Sequence, residues 1–303
     1  MVFINSEGKF NENSYLIDAN MFGMNGTLAL YVIENNGMRM MIDGGIPLTA
    51  RKVANKMKEF GIFPVHKILL THSHFDHIQG VEKMKKLMKN TEIEVLASEK
   101  AIDNLKNPKL MNDVFKNDMM DTQSLPVEDV TPLKEGDIID LNGLKLEVLN
   151  FFGHTMDSIA ILDEKNKNIF VGDAIIDTSD NNPMTPPFMP PGFSEPELLK
   201  TFQKLREMEG KLNSISLAHF GVMKENDYQK ILEEMEEFYY KAKDSIIKWY
   251  KENSSVEYVS SKYLETIVPF MLNSDMPMEI LQSTSQMLTG WLIKSLKISG
   301  FLK

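Results

Sequence analysis

Apolar and polar positions along the first hundred residues switch repeatedly between a period near two and one near 3.6. Tyr15–Asp18, Thr27–Ile33 and Met38–Ile42 are short β-leaning runs, separated by Asn25-Gly26 and Asn36-Gly37, dipeptides that suit hairpin turns. The third run ends in a tight turn, Asp43-Gly44-Gly45. From Leu48 to Phe60 the period lengthens. Val53, Met57 and Phe60 recur at i, i+4 and i+7 with lysines opposite, which predicts an amphipathic helix capped by Gly61. A strand over Lys67–Leu70, a helix from Ile78 to Met88, a strand over Ile93–Ala97 and a short helix near Ser98–Leu105 follow. Alternation of this kind predicts a mixed sheet with helices outside it.

Residues 106–128 show no clear period and read as loop or short helices. A second block then repeats the β-then-α order: strands at Ile138–Leu141, Leu144–Phe151, Ser158–Leu162 and Ile169–Val171, then a helix over Glu197–Glu209 and a strand over Ser214–Ala218. Between them lies a proline-rich stretch, Asp177 to Pro196, too long to be a plain connection and therefore expected to be a lid or rim. A long helix runs from Asp227 to about Tyr250, and residues 255–303 predict two or three more, one starting at Asp275-Met276-Pro277. The expected organisation is a main domain over residues 1–245 and a helical C-terminal extension over residues 246–303. The extension is apolar with balanced charge, so it must pack on something: the substrate site as a cap, or a second copy as a homodimer surface.

Composition narrows the function classes. The chain has 303 residues, 43% hydrophobic and 25% charged, which is ordinary for a globular protein with a sizeable core. A net charge of -10 argues against a broad nucleic-acid surface. The absence of cysteine excludes disulfides, thiol catalysis and iron–sulfur clusters. No signal-like start and no run of about 18 apolar residues is visible, so a cytoplasmic protein with no membrane partner is expected.

The chemistry concentrates in His72-Ser73-His74-Phe75-Asp76-His77, which holds half of the six histidines of the chain. It sits at a strand-to-helix turn. Imidazole and carboxylate there suit zinc, iron or manganese. His72 and His74 would point the same way in an extended segment, whereas Asp76 and His77 open the helix, so the run could feed two neighbouring metals. His154, Asp173 and His219 each follow a strand, at the edge where open sheets bind ligands. Read singly, each would be a turn or hydrogen-bonding residue; read together they complete a metal-binding constellation. His66 precedes its strand and is assigned to structure.

In this order, Asp43, then HxHxDH at His72, His74, Asp76 and His77, then His154, Asp173 and His219, the chain resembles the metallo-β-lactamase-fold superfamily of metal-dependent hydrolases over roughly residues 10–225. The resemblance implies an α/β fold, a four-layer αβ/βα sandwich with the site between two sheet edges. It implies two divalent metal ions, zinc by preference and iron or manganese otherwise. His72, His74 and His154 would hold one, Asp76, His77 and His219 the other, and Asp173 would bridge them. Asp43 would orient ligands from behind, and Asp76 would also shuttle a proton during catalysis. A hydroxide shared between the metals would cleave a small ester, thioester, lactone or related substrate.

Branches of the family narrow this further. The flavodiiron branch carries Glu where His74 stands, so a di-iron redox protein is a lesser alternative. The main zinc β-lactamases lack the Asp of the motif, and the quorum-lactone branch has a Tyr just after the bridging Asp, where this chain has Ala174-Ile-Ile-Asp177. A phosphodiesterase or nuclease is the other alternative, though nucleic acid is not an expected partner. A small-molecule hydrolase of the general, glyoxalase II-like kind remains. Met184, Phe188, Met189 and Phe193, in the proline-rich stretch, are candidate substrate-rim residues or buried loop anchors.

Overall fold

The structure is a computed structural model and describes residues 3–117, 120–175, 177–179, 182–274 and 276–303. The expected helix start at Asp275 and positions 180 and 181 of the proline-rich stretch lie outside these. The first half runs β1 (Phe3–Ile4), β2 (Gly8–Lys9), β3 (Ser14–Asp18), β4 (Ala29–Asn35), β5 (Met38–Ile42), α1 (Ala50–Glu59), β6 (Lys67–Leu70), α2 (Phe75–Ile78), α3 (Val81–Leu87), β7 (Glu94–Ser98), α4 (Ile102–Lys106), α5 (Lys109–Phe115) and β8 (Val130–Leu133). The second runs β9 (Ile138–Leu141), β10 (Leu144–Asn150), β11 (Ile159–Asp163), β12 (Asn168–Phe170), β13 (Asp177–Ser179), β14 (Asn182–Thr185), α6 (Glu195–Glu207), β15 (Ser214–Leu217), β16 (Gly221–Lys224), α7 (Glu225–Glu252), α8 (Val256–Thr266) and α9 (Met278–Ile298).

Two seven-stranded sheets result, ordered β2-β3-β4-β5-β6-β7-β8 and β1-β16-β15-β12-β11-β10-β9. Period-two alternation explains why they stack. In β4, Tyr31 and Ile33 point to one face and Leu30 and Val32 to the other, and all four are buried. The inward set meets Leu146, Val148, Ile161 and Phe170 of the second sheet to form the central core. The outward set packs under α1 and α3 through Val53, Met57 and Met84. The far face of the second sheet is covered by α6 and α7 and by the two last helices. This is the expected αβ/βα sandwich. The C-terminal helices share one apolar cluster with that face, and α7 runs unbroken through residue 245.

Two local departures from the sequence expectation bear on the site. The helix expected over Ile78–Met88 is two helices, α2 and α3, with a break at Gly80. A Cβ on Gly80 would lie 2.2 Å from the Gly44 carbonyl oxygen, and one on Gly44 would lie 2.6 Å from Val81 Cγ2. The Asp43-Gly44-Gly45 turn is therefore pressed onto this break, where Gly44 N donates to His77 O at 2.6 Å and Gly80 N to Gly45 O at 2.7 Å. The proline-rich stretch also differs, since it contains the β13–β14 hairpin.

Gly80→Ala has no room to relax, because the obstacle is backbone. Such overpacking is expected to cost about 2–4 kcal/mol. Chemical denaturation would show it as a lowered midpoint with an unchanged slope.

Candidate metal centre

Asp43 and four of the candidate ligands follow the C-terminal end of a strand: Asp43 after β5, His72 after β6, His154 beyond β10, Asp173 beyond β12 and His219 beyond β15. His74 caps α2, and Asp76 and His77 lie in its single turn. Period two along the strands and the tight turn of α2 thus aim side chains from both sheets at one point.

The point of convergence is Asp173 Oδ2. It lies 3.3 Å from His77 Nε2, 3.3 Å from His219 Nε2, 3.6 Å from His154 Nε2 and 3.8 Å from His72 Nε2. Two groups form around it. His72, His74, His154 and Asp173 each offer one ligand atom within 4.8 Å of the others, and Asp76, His77 and His219 do the same. His219 Nε2 lies 3.3 Å from Asp76 Oδ2, and His74 Nδ1 lies 3.0 Å from His154 Nε2. The seven residues expected from the sequence are all here.

The opposite ring edges explain why these nitrogens face inward. His77 Nδ1 donates to Asp43 Oδ2 at 2.8 Å, His154 Nδ1 to the Pro187 carbonyl at 3.0 Å and His219 Nδ1 to the Thr27 carbonyl at 2.7 Å. Thr71 Oγ1 donates to Asp43 and can accept from His72 Nδ1 at 3.1 Å. Each bond places the proton on Nδ1 and leaves the Nε2 lone pair for the centre. Asp43 thus touches the rings from behind, at a backbone φ of +64°.

Two further positioning residues carried no signal as single letters. Thr71 relays Asp43 to His72, and a Cβ on Gly172 would sit 2.9 Å from it, so the chain before Asp173 can approach only as glycine. Buried Asp157 accepts from Ser73 at 2.5 Å and from Thr155. It ties the loop holding His72 and His74 to the loop holding His154. His66 is elsewhere, its Nδ1 accepting from Arg39 N at 3.2 Å.

Electrostatics agree with a cation-binding role. Burial pushes the His72, His74 and His154 rings below the ordinary imidazole range, so they are neutral donors at pH 7. Burial also opposes charge on His77, but Asp173, Asp43 and Asp76 outweigh it and hold that ring well above its ordinary range. Asp173 is likewise buried, yet His219 and His77 hold it well below the carboxylate range. His72 Nε2, His77 Nε2 and Asp173 Oδ1 are buried without a hydrogen-bond partner. Orphaned atoms of this chemistry, gathered in two groups, fit metal ions.

A cavity of about 160 Å³ opens onto the centre, with His74, Asp76, His154, Asp173 and His219 in its wall. Of the four candidate rim residues, Met184 and Met189 line it. Phe188 and Phe193 do not. They are buried against Tyr239 of α7 at ring-centroid distances of 5.9 and 6.1 Å, so the segment anchors itself in the outer core through these two rings. The opposite wall comes from the C-terminal extension, one of the two placements expected for it, through residues that the sequence had not singled out. Thr284, Met287, Leu288 and Trp291 of α9 line the cavity, at i, i+3, i+4 and i+7, a helical stripe that was readable but had no assigned direction.

This fold with this cluster defines a class: the chain belongs to the metallo-beta-lactamase superfamily, whose family model matches residues 29–219. Members of the superfamily typically bind divalent metal ions, and the two His/Asp groups could hold them. The chain is 26% identical over 145 residues to a probable metallo-hydrolase of Streptococcus pyogenes, covering 48% of this chain and 60% of that protein. It is 27% identical over 129 residues to a hydroxyacylglutathione hydrolase of Ectopseudomonas mendocina, covering 43% of this chain and 40% of that one. The matches thus span less than two thirds of these relatives. Among solved structures, a metallo-beta-lactamase family protein of Thermus thermophilus superposes with a TM-score of 0.60 at 17% identity, covering 89% of this chain and 87% of that one. No helix among the described residues is long and apolar enough to cross a membrane.

Two outcomes are expected. Asp43→Asn, which removes the acceptor charge behind His77 and Thr71, lowers metal affinity about 10–100-fold, read by competition with a chromophoric chelator. Because a ring must present a free lone pair to ligate and the surrounding carboxylates hold His77 above its ordinary range, metal uptake is expected to be accompanied by proton release, and affinity to weaken as pH falls. Calorimetry in buffers of different ionisation enthalpy measures that release.

Proposed function

We propose that the chain is a hydrolase using two divalent metal ions, zinc by preference, to cleave a small ester, thioester or lactone. The observation that carries this is the convergence of five imidazoles and two carboxylates, with Nδ1 protons parked on Asp43, Thr71 and backbone carbonyls, at the mouth of a cavity. His72, His74 and His154 would hold one ion, Asp76, His77 and His219 the other, and Asp173 both. Bound there, the ions supply a Lewis acid for the substrate carbonyl and lower the pKa of water toward neutrality.

The protein's own groups do the rest. Asp173 keeps its charge and fixes the spacing of the two groups. Asp76 faces the cavity and is within 3.3 Å of His219 Nε2, so its carboxylate can take a proton from water and return it to the leaving oxygen or sulfur. The apolar walls exclude bulk water from the reacting carbonyl. Relatives named as a probable metallo-hydrolase and as hydroxyacylglutathione hydrolases support the hydrolytic reading.

Purified protein loaded with zinc is expected to hold about two ions per chain and to hydrolyse p-nitrophenyl esters, thioesters or lactones, with activity lost on chelation and restored by metal. Asp76→Ala should reduce kcat about 100-fold or more. Cleavage of bis-p-nitrophenyl phosphate alone would point to phosphodiester chemistry instead.

A further inference from the structure

The cavity above the metal centre has a one-sided composition. Beyond the metal-centre residues its wall is mostly apolar: Met21, Met24, Phe75, Phe115 and the segment from Met184 to Met189, roofed by the α9 stripe, with Thr27 and Thr185 as the polar exceptions on the walls. Among the described residues no lysine or arginine lines it. None of the positions outside the described set is Lys or Arg either. The nearest lysine on the roof helix, Lys294, donates to the Val114 carbonyl at 2.8 Å and so fastens α9 to α5. Trp291 reinforces that fastening, packing edge-on against Phe115 at 5.2 Å and Phe75 at 6.1 Å. On the opposite side, Tyr263 of α8 donates to the Met184 carbonyl at 2.7 Å and holds the hairpin wall.

Among the described residues a pocket of this kind offers a carboxylate, phosphate or sulfonate no cation away from the metals, only the hydroxyls of Thr27, Thr185 and Thr284. Burying such a group there unpaired is costly, whereas flexible thioethers adapt to alkyl and aromatic surface. Resting on the hydrolytic reading above, we propose that the substrate is uncharged and apolar beyond its scissile carbonyl: an alkyl or aromatic ester, thioester or lactone, bound between the methionine wall and Trp291. The step is plain hydrolysis. Water adds across the acyl C–O or C–S bond and gives a carboxylic acid and an alcohol or thiol, with no change of oxidation state.

Two measurements on the full-length, zinc-loaded protein test this. The first compares p-nitrophenyl hexanoate with the glutarate hemiester of p-nitrophenol, which carries the same leaving group and a terminal carboxylate. The neutral ester is expected to have a kcat/KM at least about 100-fold higher. Leu288→Arg, which places a cation in the roof, should raise the value for the hemiester about tenfold and lower that for hexanoate. The second titrates the neutral ketone 2-nonanone while following tryptophan emission. A saturable change is expected in the wild type and not in Trp291→Phe, where only Trp249 of α7 remains. A hemiester or S-lactoylglutathione hydrolysed as well as hexanoate, or no Trp291-dependent signal, overturns the substrate assignment even where hydrolysis occurs. Ketone binding without turnover of any ester, thioester or lactone leaves the apolar preference of the pocket standing and instead refutes the hydrolase reading.

Discussion

The buried carboxylate of Asp43 is the constraint on which the site depends. It sits 1% exposed at the end of β5, in a left-handed conformation that asparagine and aspartate tolerate better than other side-chain-bearing residues. From there it accepts the His77 ring proton directly and the Thr71 hydroxyl, and Thr71 in turn receives His72. His77 belongs to one ligand group and His72 to the other, so a single carboxylate sets the orientation of both. The two glycines that follow are part of the same device, since the turn can hold Asp43 in place only by lying against the Gly80 break. Helix geometry is sacrificed there: one long helix gives way to two short ones so that ring, turn and strand can meet.

The same economy appears in the charges. Aspartates 43, 76 and 173 are buried together, an arrangement that is repulsive unless something positive lies among them. The His77 ring answers part of that demand, since Asp173, Asp43 and Asp76 hold it well above its ordinary range against the cost of burial. A cluster that must choose between protons and cations is a poor structural core. It persists because both sheets are packed around it and leave it no other geometry.

How legible this was follows from the physics of each element. Strands with two buried faces, such as β4, and helices with one clear stripe, such as α1, declare themselves because burial alternates with a fixed period. The ligands were legible because strand ends and residue types coincide: an imidazole or carboxylate follows β6, β12 and β15 almost at once. What failed depends on contacts distant in sequence. The split at Gly80 comes from Gly44, the inward turn of Phe188 and Phe193 from Tyr239 of α7, and the direction of the Trp291 stripe from Phe75 and Phe115. Asp157 looks like any polar turn residue until Ser73 and Thr155 are brought to it.

The roof helix α9 serves two parts of the molecule at once. Its Trp291 stripe walls the cavity, while Leu292, Ile293 and Leu296 belong to the apolar cluster over the far face of the second sheet. A chain cut before α9 would therefore lose a wall of the cavity and part of its core together.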